Sequence, residues 1–289
     1  MSLSGIIIID KPAGWTSHDV VAKLRGVFKQ KRIGHGGTLD PMATGVLPVF
    51  IGRATRAAEF CENAEKEYIA GLRLGIVTDT QDITGSALSE HDVTVTAGDV
   101  KHILPRFTGA QKQIPPMYSA VKQGGKKLYE LARKGIDVPR EARDITISAL
   151  EMTEASGGND YTLRVVCSKG TYIRTLCHDI GEALGCGGTL SSLRRTRAGV
   201  FTIENAHSPD EITQGDGSSV LLPVDTLFQK FPAITLTENS TKQAKNGALH
   251  SIGEANPGTY RFYAPDGEFL LLGDIKNNKV KTVKSFYEV

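Results

Sequence analysis

The sequence predicts an α+β fold whose mixed, largely antiparallel sheet is flanked by helices and loops. Apolar residues alternate with other residues over 68–74 and 161–167, which predicts strands. Apolar residues three or four positions apart predict helices over 17–28 and 173–184. Several predicted strands follow one another without the helical crossover that parallel neighbours would need. A doubly wound parallel sheet is therefore not expected.

The first predicted elements surround a glycine-rich loop. The β-branched run from Ile6 to Ile9 predicts a buried strand. Ser17 is expected to cap the helix that follows, because a serine oxygen can accept a hydrogen bond from a free N–H group of the first helical turn. The loop over 34–41 then precedes a predicted strand over 46–51. This loop is thus expected to lie between a helix and a buried strand.

The middle of the chain predicts short elements separated by turns. Thr171 is expected to cap the helix that ends near Gly185. The other predictions here are a turn over 79–85, a short helix over 100–107, an ordered loop over 114–118 with paired prolines, and a short helix ending near Gly135.

The pattern changes towards the C-terminus. The polar stretch 208–219 contains proline and glycine and is the best candidate for a linker. Two apolar segments then flank Pro265-Asp266-Gly267, which is a strong hairpin signal. We therefore expect a large domain over 1–227 and a small β-rich domain over 228–289.

Composition excludes several classes of protein. Hydrophobic residues make up 40% and charged residues 23%, so a disordered chain is not expected. The net charge of +2 is far below that of histone-like binders of polyanions. The four cysteines form no Cys-x-x-Cys pair, so no metal site is predicted. The N-terminal apolar run is too short for a signal peptide or a membrane span, and we expect a cytoplasmic protein with no membrane contact.

The loop over 34–41 is the most unusual segment for chemistry. Its glycines permit close approach of a ligand, and Pro41 stiffens the chain next to Asp40. No Gly-Lys-Ser or Gly-Lys-Thr follows the glycines, so a phosphate-binding P-loop is excluded. By local chemistry alone, Asp40 is either a reactive carboxylate on a rigid loop or an ordinary turn aspartate.

Arg174 follows a predicted strand-to-helix turn and lies beside the buried face of the helix. A partly buried arginine needs a carboxylate partner, which fits either a functional pair or a structural salt bridge. Tyr68 is either a core aromatic residue or a binding surface. His35 is either a surface histidine or part of a site. None of these residues decides the function alone.

Together these segments resemble the motifs of the bacterial type of the TruB family of pseudouridine synthases. The stretch over 34–48 resembles the family's catalytic motif, although Gly36 stands where the family commonly has threonine. The resemblance extends from about Gly5 to about Phe201, and the C-terminal domain is consistent with a PUA-like RNA-binding domain. The further motifs are Lys11-Pro12-Ala13-Gly14-Trp15-Thr16-Ser17, Lys66-Glu67-Tyr68, Asp79-Thr80-Gln81-Asp82, Pro115-Pro116-Met117-Tyr118-Ser119-Ala120, Ser168-Lys169-Gly170-Thr171-Tyr172-Ile173-Arg174 and Leu193-Arg194-Arg195-Thr196.

The resemblance implies an isomerase that converts uridine to pseudouridine at position 55 in the T loop of tRNA, without a cofactor. Asp40 would be its catalytic group, acting by attack on the base or sugar or by removal of a ribose proton. Arg174 would pair with Asp40, and Tyr68 would stack on a base flipped out of the RNA. His35 would support the vacated position in the stack.

The resemblance also implies a binding surface for the T-arm of tRNA. Lys11, Tyr172 and Leu193 lie in the family motifs and are assigned to substrate binding. Basic clusters are expected to contact RNA phosphates. Their members are Lys122, Lys126, Lys127, Arg194, Arg195 and Arg197.

Two alternatives stay open. A relative of the dyskerin-like branch would depend on a guide RNA, but few residues precede Gly5, so we expect the stand-alone type, acting as a monomer. A tRNA-folding chaperone would need the basic surface and Tyr68 but not Asp40. An Asp40→Asn variant would distinguish a chaperone from an enzyme.

Overall fold

The fold is built mainly on strands. The computed structural model describes residues 3–215, 217–249 and 251–287, and these ranges contain seventeen strands. The strands are β1 (Gly5–Lys11), β2 (Ile33–His35), β3 (Thr44–Ile51), β4 (Lys66–Leu74), β5 (Ile76–Thr78), β6 (Ala87–Glu90), β7 (Gly109–Gln113), β8 (Lys122–Gln123), β9 (Lys126–Lys127), β10 (Arg143–Ala155), β11 (Asp160–Cys167), β12 (Gly188–Ala198), β13 (Phe201–Thr202), β14 (Ala233–Thr235), β15 (Gly258–Tyr263), β16 (Phe269–Lys276) and β17 (Lys279–Ser285).

The helices are mostly short. In the described ranges they are α1 (Ser17–Phe28), α2 (Ala58–Glu62), α3 (Ala97–Ile103), α4 (Leu128–Ala132), α5 (Ile173–Ala183), α6 (Pro209–Gln214) and α7 (Glu238–Lys245). Four 3-10 segments accompany them there, at Gly52–Ala57, Leu104–Phe107, Ile203–Asn205 and Val224–Phe228. Among the helices so described, none is long and apolar enough to cross a membrane.

One large sheet organises the first part of the chain. Its order is β1-β3-β12-β4-β11-β10-β7, with β2 paired to β3 and β13 paired to β12. Neighbouring strands run antiparallel, except that β3 and β12 are parallel. Strands β14 to β17 form a separate sheet near the C-terminus. The predicted α+β class with a mixed, largely antiparallel sheet is therefore confirmed.

Both faces of the large sheet are covered, which explains the unbroken apolar sequence of β1. Ile7 and Ile9 face the larger core, which they share with apolar residues of α1 and α5. Ile6 and Ile8 face a second core, which includes Phe228 and other residues of the C-terminal part. Alternate residues of a strand point to opposite faces, so a strand covered on both sides is apolar at every position.

The C-terminal part contains the predicted hairpin. Strands β15 and β16 pair antiparallel on either side of the turn at 265–267. The boundary predicted between residues 227 and 228 falls at the end of the 3-10 segment Val224–Phe228. Phe228 packs against the large sheet, so the two parts share a core across that position. The division into two domains stays a prediction.

The linker predicted over 208–219 is wrong. Half of this stretch forms α6 (Pro209–Gln214), which begins with a reciprocal capping box between Ser208 and Glu211. Ile212 is buried in the larger core. The polar residues belong to the exposed side of a short amphipathic helix rather than to a free chain. Residue 216 lies outside the described residues.

The two predicted helix caps are each displaced by one residue. Thr16 caps α1 by accepting a hydrogen bond from the Asp19 backbone, and Ser17 is the first helical residue. Tyr172 occupies the N-cap position of α5, and the hydroxyl of Thr171 donates to a carbonyl of the preceding turn. Ser17 is consequently free to bond elsewhere, which matters for the site.

Candidate active site

A cleft of about 300 Å³ lies where the glycine-rich loop, β4 and the start of α5 meet. Asp40, Tyr68 and Arg174 all line this cleft. The fold therefore brings together the three residues that the sequence singled out for chemistry. The volume is at the lower end of the range of about 300–1,000 Å³ that is typical of ligand pockets.

The loop that carries Asp40 is fixed on both sides of this residue. Ser17 Oγ accepts a hydrogen bond from the Leu39 backbone N–H at 2.9 Å and donates to the Leu39 carbonyl at 3.2 Å. On the other side, the Gly14 N–H donates to the Pro41 carbonyl at 2.8 Å. The backbone at Asp40 is thus tied to α1 and to the turn after β1.

Arg174 is the ion-pair partner of Asp40, as expected from the sequence. Its Nε lies 2.9 Å from Asp40 Oδ2. Its Nη1 donates to the Thr80 carbonyl at 2.8 Å, and its Nη2 donates to the Tyr118 carbonyl at 2.7 Å. The arginine side chain is 5% exposed, whereas the Asp40 side chain is 40% exposed. The guanidinium is therefore held in three directions, while the carboxylate stays open to the cleft.

A second carboxylate, Asp82, stands behind Arg174. Its Oδ2 lies 3.7 Å from Arg174 Nε, and its side chain is 8% exposed. Its Oδ1 accepts hydrogen bonds from the Thr80 hydroxyl and the Thr84 backbone N–H, both at 3.0 Å. Asp82 belongs to the sequence motif Asp79-Thr80-Gln81-Asp82, and no role was predicted for it. The signal was present, because a buried arginine needs carboxylates and Asp82 lies among threonines that can fix it.

Tyr68 lines the cleft from β4 and is 9% exposed. Burial raises the pKa of its phenol, and the charge of Arg195 opposes part of that rise. The phenol is therefore protonated at neutral pH and can donate a hydrogen bond. Tyr68 lines the same cleft as Asp40.

Arg195 is not the exposed phosphate contact that the basic cluster predicted. Its side chain is among the largest fully buried ones and is 1% exposed. Its Nε donates to the Val46 carbonyl at 2.7 Å and its Nη2 to the Gly37 carbonyl at 3.1 Å. Because neighbouring residues of a strand face opposite sides, Arg195 points inward from β12 while Arg194 points outward. Arg195 supports the glycine-rich loop and lines the cleft.

Lys11, which the family motif assigned to substrate binding, is also buried. Its side chain is fully buried, and its Nζ donates to the carbonyls of Pro12, Trp15 and Pro41 at 2.9, 2.6 and 3.3 Å. Burial is the main cause that lowers the pKa of Lys11 to about 8, and the charge of Asp40 opposes it. Lys11 is a support of the loop rather than a free cation.

The other residues assigned to substrate binding lie in different places. Tyr172 and Leu193 line the cleft. His35 ends β2, where it pairs with Val49, and lies outside that lining. Burial is the main cause that lowers the pKa of His35, and neighbouring positive charges add to it. The imidazole is therefore neutral at neutral pH.

Gly36 is tightly packed. A Cβ atom at this position would lie 2.7 Å from Phe50 Cε2 and 2.9 Å from Cys61 Cβ. Both distances are too short for unmodified packing, so any larger residue would have to displace these neighbours. Phe50 and Cys61 thus occupy the space that a side chain at position 36 would need, and the glycine leaves no void next to His35.

The remaining basic residues differ in how free they are. Lys122 and Lys126 are exposed and Lys127 is half-buried, on the hairpin formed by β8 and β9. Arg194 is partly exposed and pairs with Asp10, with 2.7 Å between Nη2 and Oδ2. Contact of these residues with RNA stays a prediction.

Comparison with protein families gives matches over most of the chain. Residues 25–173 match the N-terminal domain of TruB family pseudouridylate synthase. Residues 174–229 match the C-terminal domain described for tRNA pseudouridylate synthase B. The two matches are contiguous and together include the cleft residues Asp40, Tyr68 and Arg174.

Curated proteins and solved structures agree with the family match. The chain is 44% identical to tRNA pseudouridine synthase B of Syntrophomonas wolfei, over 97% of this chain and 96% of that protein. It is 41% identical to the protein of the same name from Clostridium perfringens, over 99% and 100%. Among solved structures, a Cbf5-Nop10-Gar1 complex matches with a TM-score of 0.73 and 29% identity, over 98% of this chain and 85% of that chain.

Proposed function

The chain belongs to the TruB family of pseudouridylate synthases, and from this premise we propose that it converts a uridine of tRNA to pseudouridine. We propose further that the target is uridine 55 in the T loop and that no guide RNA takes part. The observation that carries the proposal is the Asp40–Arg174 pair, which opens into a cleft beside Tyr68. The names of the curated relatives support tRNA as the substrate.

Asp40 is the catalytic group in this proposal. The reaction breaks the bond between N1 of uracil and C1′ of ribose, turns the base, and joins C1′ to C5. Asp40 acts either by attack on the base or sugar or by removal of a ribose proton, and both actions need an ionised carboxylate. Arg174 stabilises that negative charge and fixes its direction through a hydrogen bond between charged groups.

Tyr68 receives the base in this proposal. A uridine inside a folded loop has to leave the stack before an enzyme can reach it, and a flipped base is commonly held on an aromatic face. Burial raises the pKa of Tyr68 and keeps its hydroxyl protonated, so this group can donate to the base. It can accept the C5 proton only after it has given its own proton to the base at N1. His35 supports the position that the base has vacated.

The rest of the chain binds the T-arm in this proposal. The exposed lysines of the β8–β9 hairpin and Arg194 contact phosphates, and Tyr172 and Leu193 contact the flipped nucleotide. Residues 228–289 act as a PUA-like RNA-binding domain. The enzyme works as a cytoplasmic monomer without a cofactor.

The test compares the wild-type protein with Asp40→Asn on an unmodified tRNA transcript, with a chelator and without guide RNA. Pseudouridine is mapped by carbodiimide labelling. Asp144→Asn is the matched control, because this aspartate side chain is 88% exposed and pairs only with Lys112 among the described residues. We expect modification at position 55 by the wild type and by Asp144→Asn. Asp40→Asn should bind the tRNA and give no product, because an amide can neither attack nor accept a proton.

Other outcomes would contradict the proposal. Modification by Asp40→Asn at the wild-type rate would remove Asp40 from the mechanism. A folded wild-type protein that binds and refolds tRNA without modifying it would indicate a chaperone. Product that appears only when a guide RNA is added would indicate a guide-dependent enzyme.

Tyr68→Phe separates binding of the base from movement of its proton. The variant keeps the aromatic ring and loses only the hydroxyl, so we expect tRNA binding near the wild-type level. Turnover should fall by about 10²–10⁴-fold, the usual contribution of a positioned acid or base. The dissociation constant and the single-turnover rate constant are to be measured on the same preparation. Weak binding with normal turnover would contradict this role.

A further inference from the structure

Two buried arginines line the cleft, and they differ in what neutralises their charge. Arg174 has carboxylate oxygens at 2.9 and 3.7 Å, from Asp40 and Asp82. Arg195 makes its hydrogen bonds to carbonyl oxygens and has no carboxylate within 4.0 Å among the residues that the structure describes. A carbonyl accepts a hydrogen bond but carries no net charge. Arg195 therefore keeps an uncancelled positive charge in a place where charge is costly to bury.

The neighbours of Arg195 respond to this charge. Burial is the main cause of four shifted pKa values near Arg195. It lowers the pKa of Lys11, His35 and Lys66, and it raises the pKa of Tyr68. At all four, the charge of Arg195 is a further cause, and it lowers the pKa each time. This is the direction that a nearby cation produces.

Arg195 is also held rigidly. It lies in the middle of the large sheet, where its backbone is opposite Gly45 on β3 and opposite Tyr68 on β4. Gly45 has φ +102°, and a Cβ atom there would overlap the backbone of Arg195. Glycine at this position therefore allows β12 to approach β3. The guanidinium is fixed before any substrate arrives.

We propose that Arg195 stabilises the negative charge that develops on the uracil ring when the base separates from ribose. The inference rests on the function proposed above, in which the base stacks on Tyr68. Tyr68 and Arg195 are cross-strand neighbours, and such neighbours have Cβ atoms about 4.5–5.5 Å apart on one face of a sheet. A base on Tyr68 therefore lies beside the guanidinium. Arg174 then stabilises the Asp40 carboxylate, and Arg195 stabilises the negative charge on the uracil ring.

The reaction places negative charge on the uracil ring, and a cation beside the ring would stabilise this charge. When the N1–C1′ bond breaks, its electron pair passes to the uracil ring and spreads over N1, O2 and O4. When C5 attacks C1′, the ring supplies the pair for the new carbon–carbon bond. The C5 proton then leaves and N1 gains a proton, so no atom is gained or lost. A fixed cation beside the ring lowers the energy of the charged stage without having to reorganise, which is the usual way in which enzymes stabilise developing anions.

The test uses a substrate whose ring bears negative charge more easily. One T-arm RNA carries uridine at position 55 and a second carries 5-fluorouridine, because fluorine withdraws electrons and stabilises the uracil anion. Single-turnover loss of each starting nucleoside is followed by chromatography after nuclease digestion. The proteins are the wild type, Arg195→Gln, Arg195→Lys and the control Arg73→Gln, which removes an exposed arginine on the same strand as Tyr68.

We expect Arg195→Gln to lower the rate constant for uridine by about 10²–10³-fold, as loss of one anion-stabilising donor usually does. The loss for 5-fluorouridine should be at least tenfold smaller. Arg195→Lys keeps the charge, so its losses for the two substrates should be nearly equal. Arg73→Gln should change neither rate. Arg195→Gln is compared only after its melting temperature and RNA affinity have been measured.

Equal losses for both substrates in Arg195→Gln would overturn the proposal and leave Arg195 as a support of the loop. If Arg195→Gln does not fold, Arg195→Met takes its place and is compared with Arg195→Lys. A loss for uridine that equals the loss for 5-fluorouridine in both of these variants would overturn the proposal. A wild-type protein that converts neither RNA would instead contradict the proposed function. The two failures are therefore distinguishable.

Discussion

The floor of the cleft and the β8–β9 hairpin both carry basic side chains, but these side chains are buried on the floor and mostly exposed on the hairpin. On the floor, Arg174 and Arg195 are buried and bound to carbonyl or carboxylate oxygens. Lys11 is buried and bound to carbonyl oxygens next to the loop that carries Asp40. On the hairpin, Lys122 and Lys126 are exposed. A buried charge with fixed partners can hold reacting groups in place but cannot reach a phosphate. An exposed lysine can reach a phosphate but cannot fix a geometry. We therefore expect the buried residues to affect the reaction rate and the exposed lysines to affect the affinity for tRNA.

Arg174→Lys is the sharpest test of the buried class, and its expected effect is larger than the effect expected from changes on the hairpin. A lysine keeps the charge but cannot reach Asp40 and the carbonyls of Thr80 and Tyr118 at once. We expect turnover to fall by about 10²-fold or more, as misplacement of a reacting group by about 1 Å does. tRNA affinity should change much less. Single-turnover kinetics and filter binding measure the two quantities.

The control for this variant is Arg164→Lys, which makes the same change at a partly exposed arginine paired with Glu67 and Glu151. It is expected to have little effect, because exposed ion pairs contribute little. Wild-type turnover in Arg174→Lys would contradict the distinction between buried and exposed basic residues, because a single positive charge without the geometry of a guanidinium would then be enough to support Asp40.

Replacement of Lys122, Lys126 and Lys127 by glutamine tests the exposed class. Each phosphate contact that is lost should reduce the slope of log affinity against log salt by about 0.7–0.9. We therefore expect a slope that is shallower by about 2–3 and weaker binding at low salt. The effect should fall on the dissociation constant and not on the rate constant of the bound complex. An unchanged slope would remove the hairpin from the RNA-binding surface.

Charge-matched substitution elsewhere provides the control for the hairpin. Glutamine at Lys23, Lys101 and Lys112 removes the same charge from exposed positions on α1, α3 and β7. This variant should change the salt slope by less than the hairpin variant. An equal change in both would mean that total charge, rather than the hairpin, determines the affinity.

The smallest expected effect concerns the pH dependence of stability and comes from Lys11. Its pKa is about 8 in the folded protein and 10.5 in its ordinary state. Between these values the unfolded chain binds the proton and the folded chain does not, so stability rises with pH in this window. Relative to Lys11→Gln, the free energy of unfolding of the wild type should increase by at most about 1.4 kcal/mol per pH unit.

Urea unfolding from pH 7.5 to 10 measures this difference. Ser17→Ala is the control, because it also removes a support of the loop but no titratable group. Its difference from the wild type should not vary with pH. A difference between the wild type and Lys11→Gln that falls as pH rises would show that the buried amine is favoured in its charged form.

The fold class and the Asp40–Arg174 pair could be predicted from the sequence. The positions of several charged side chains, such as Arg195, could not. Asp40 and Arg174 could be predicted as a pair because both lie in segments that resemble motifs of the family. Burial of an arginine indicates only that some carboxylate partner is needed. Arg195 was misassigned because Arg194-Arg195-Thr196-Arg197 has the composition of a basic surface. Successive residues of a strand face opposite sides, and only the tertiary structure shows that the side of β12 that carries Arg195 is buried while Arg194 stays partly exposed.

The predicted linker failed for a related physical reason. Ser208, Pro209 and Glu211 are polar or turn-forming residues, but they are also residues that start a helix. Pro209 and Ile212 are the buried residues of α6, and two positions in so short a helix are too weak a signal to detect by periodicity. The displaced caps at Thr16 and Tyr172 reflect the same limit, because a cap differs from its neighbour only in backbone angles.

The parallel pairing of β3 with β12 has a consequence for biosynthesis. Asp40 leaves the ribosome long before Arg174 and Arg195 do, and translation at about 5–20 residues per second separates Asp40 from Arg195 by roughly 10–30 seconds. During that interval β3 has no partner on its β12 side, and the loop that carries Asp40 lacks its support from Arg195. Contacts this distant in sequence also slow folding. A nascent chain therefore lacks the Asp40–Arg174 pair and the support of the loop by Arg195 until β12 has been synthesised.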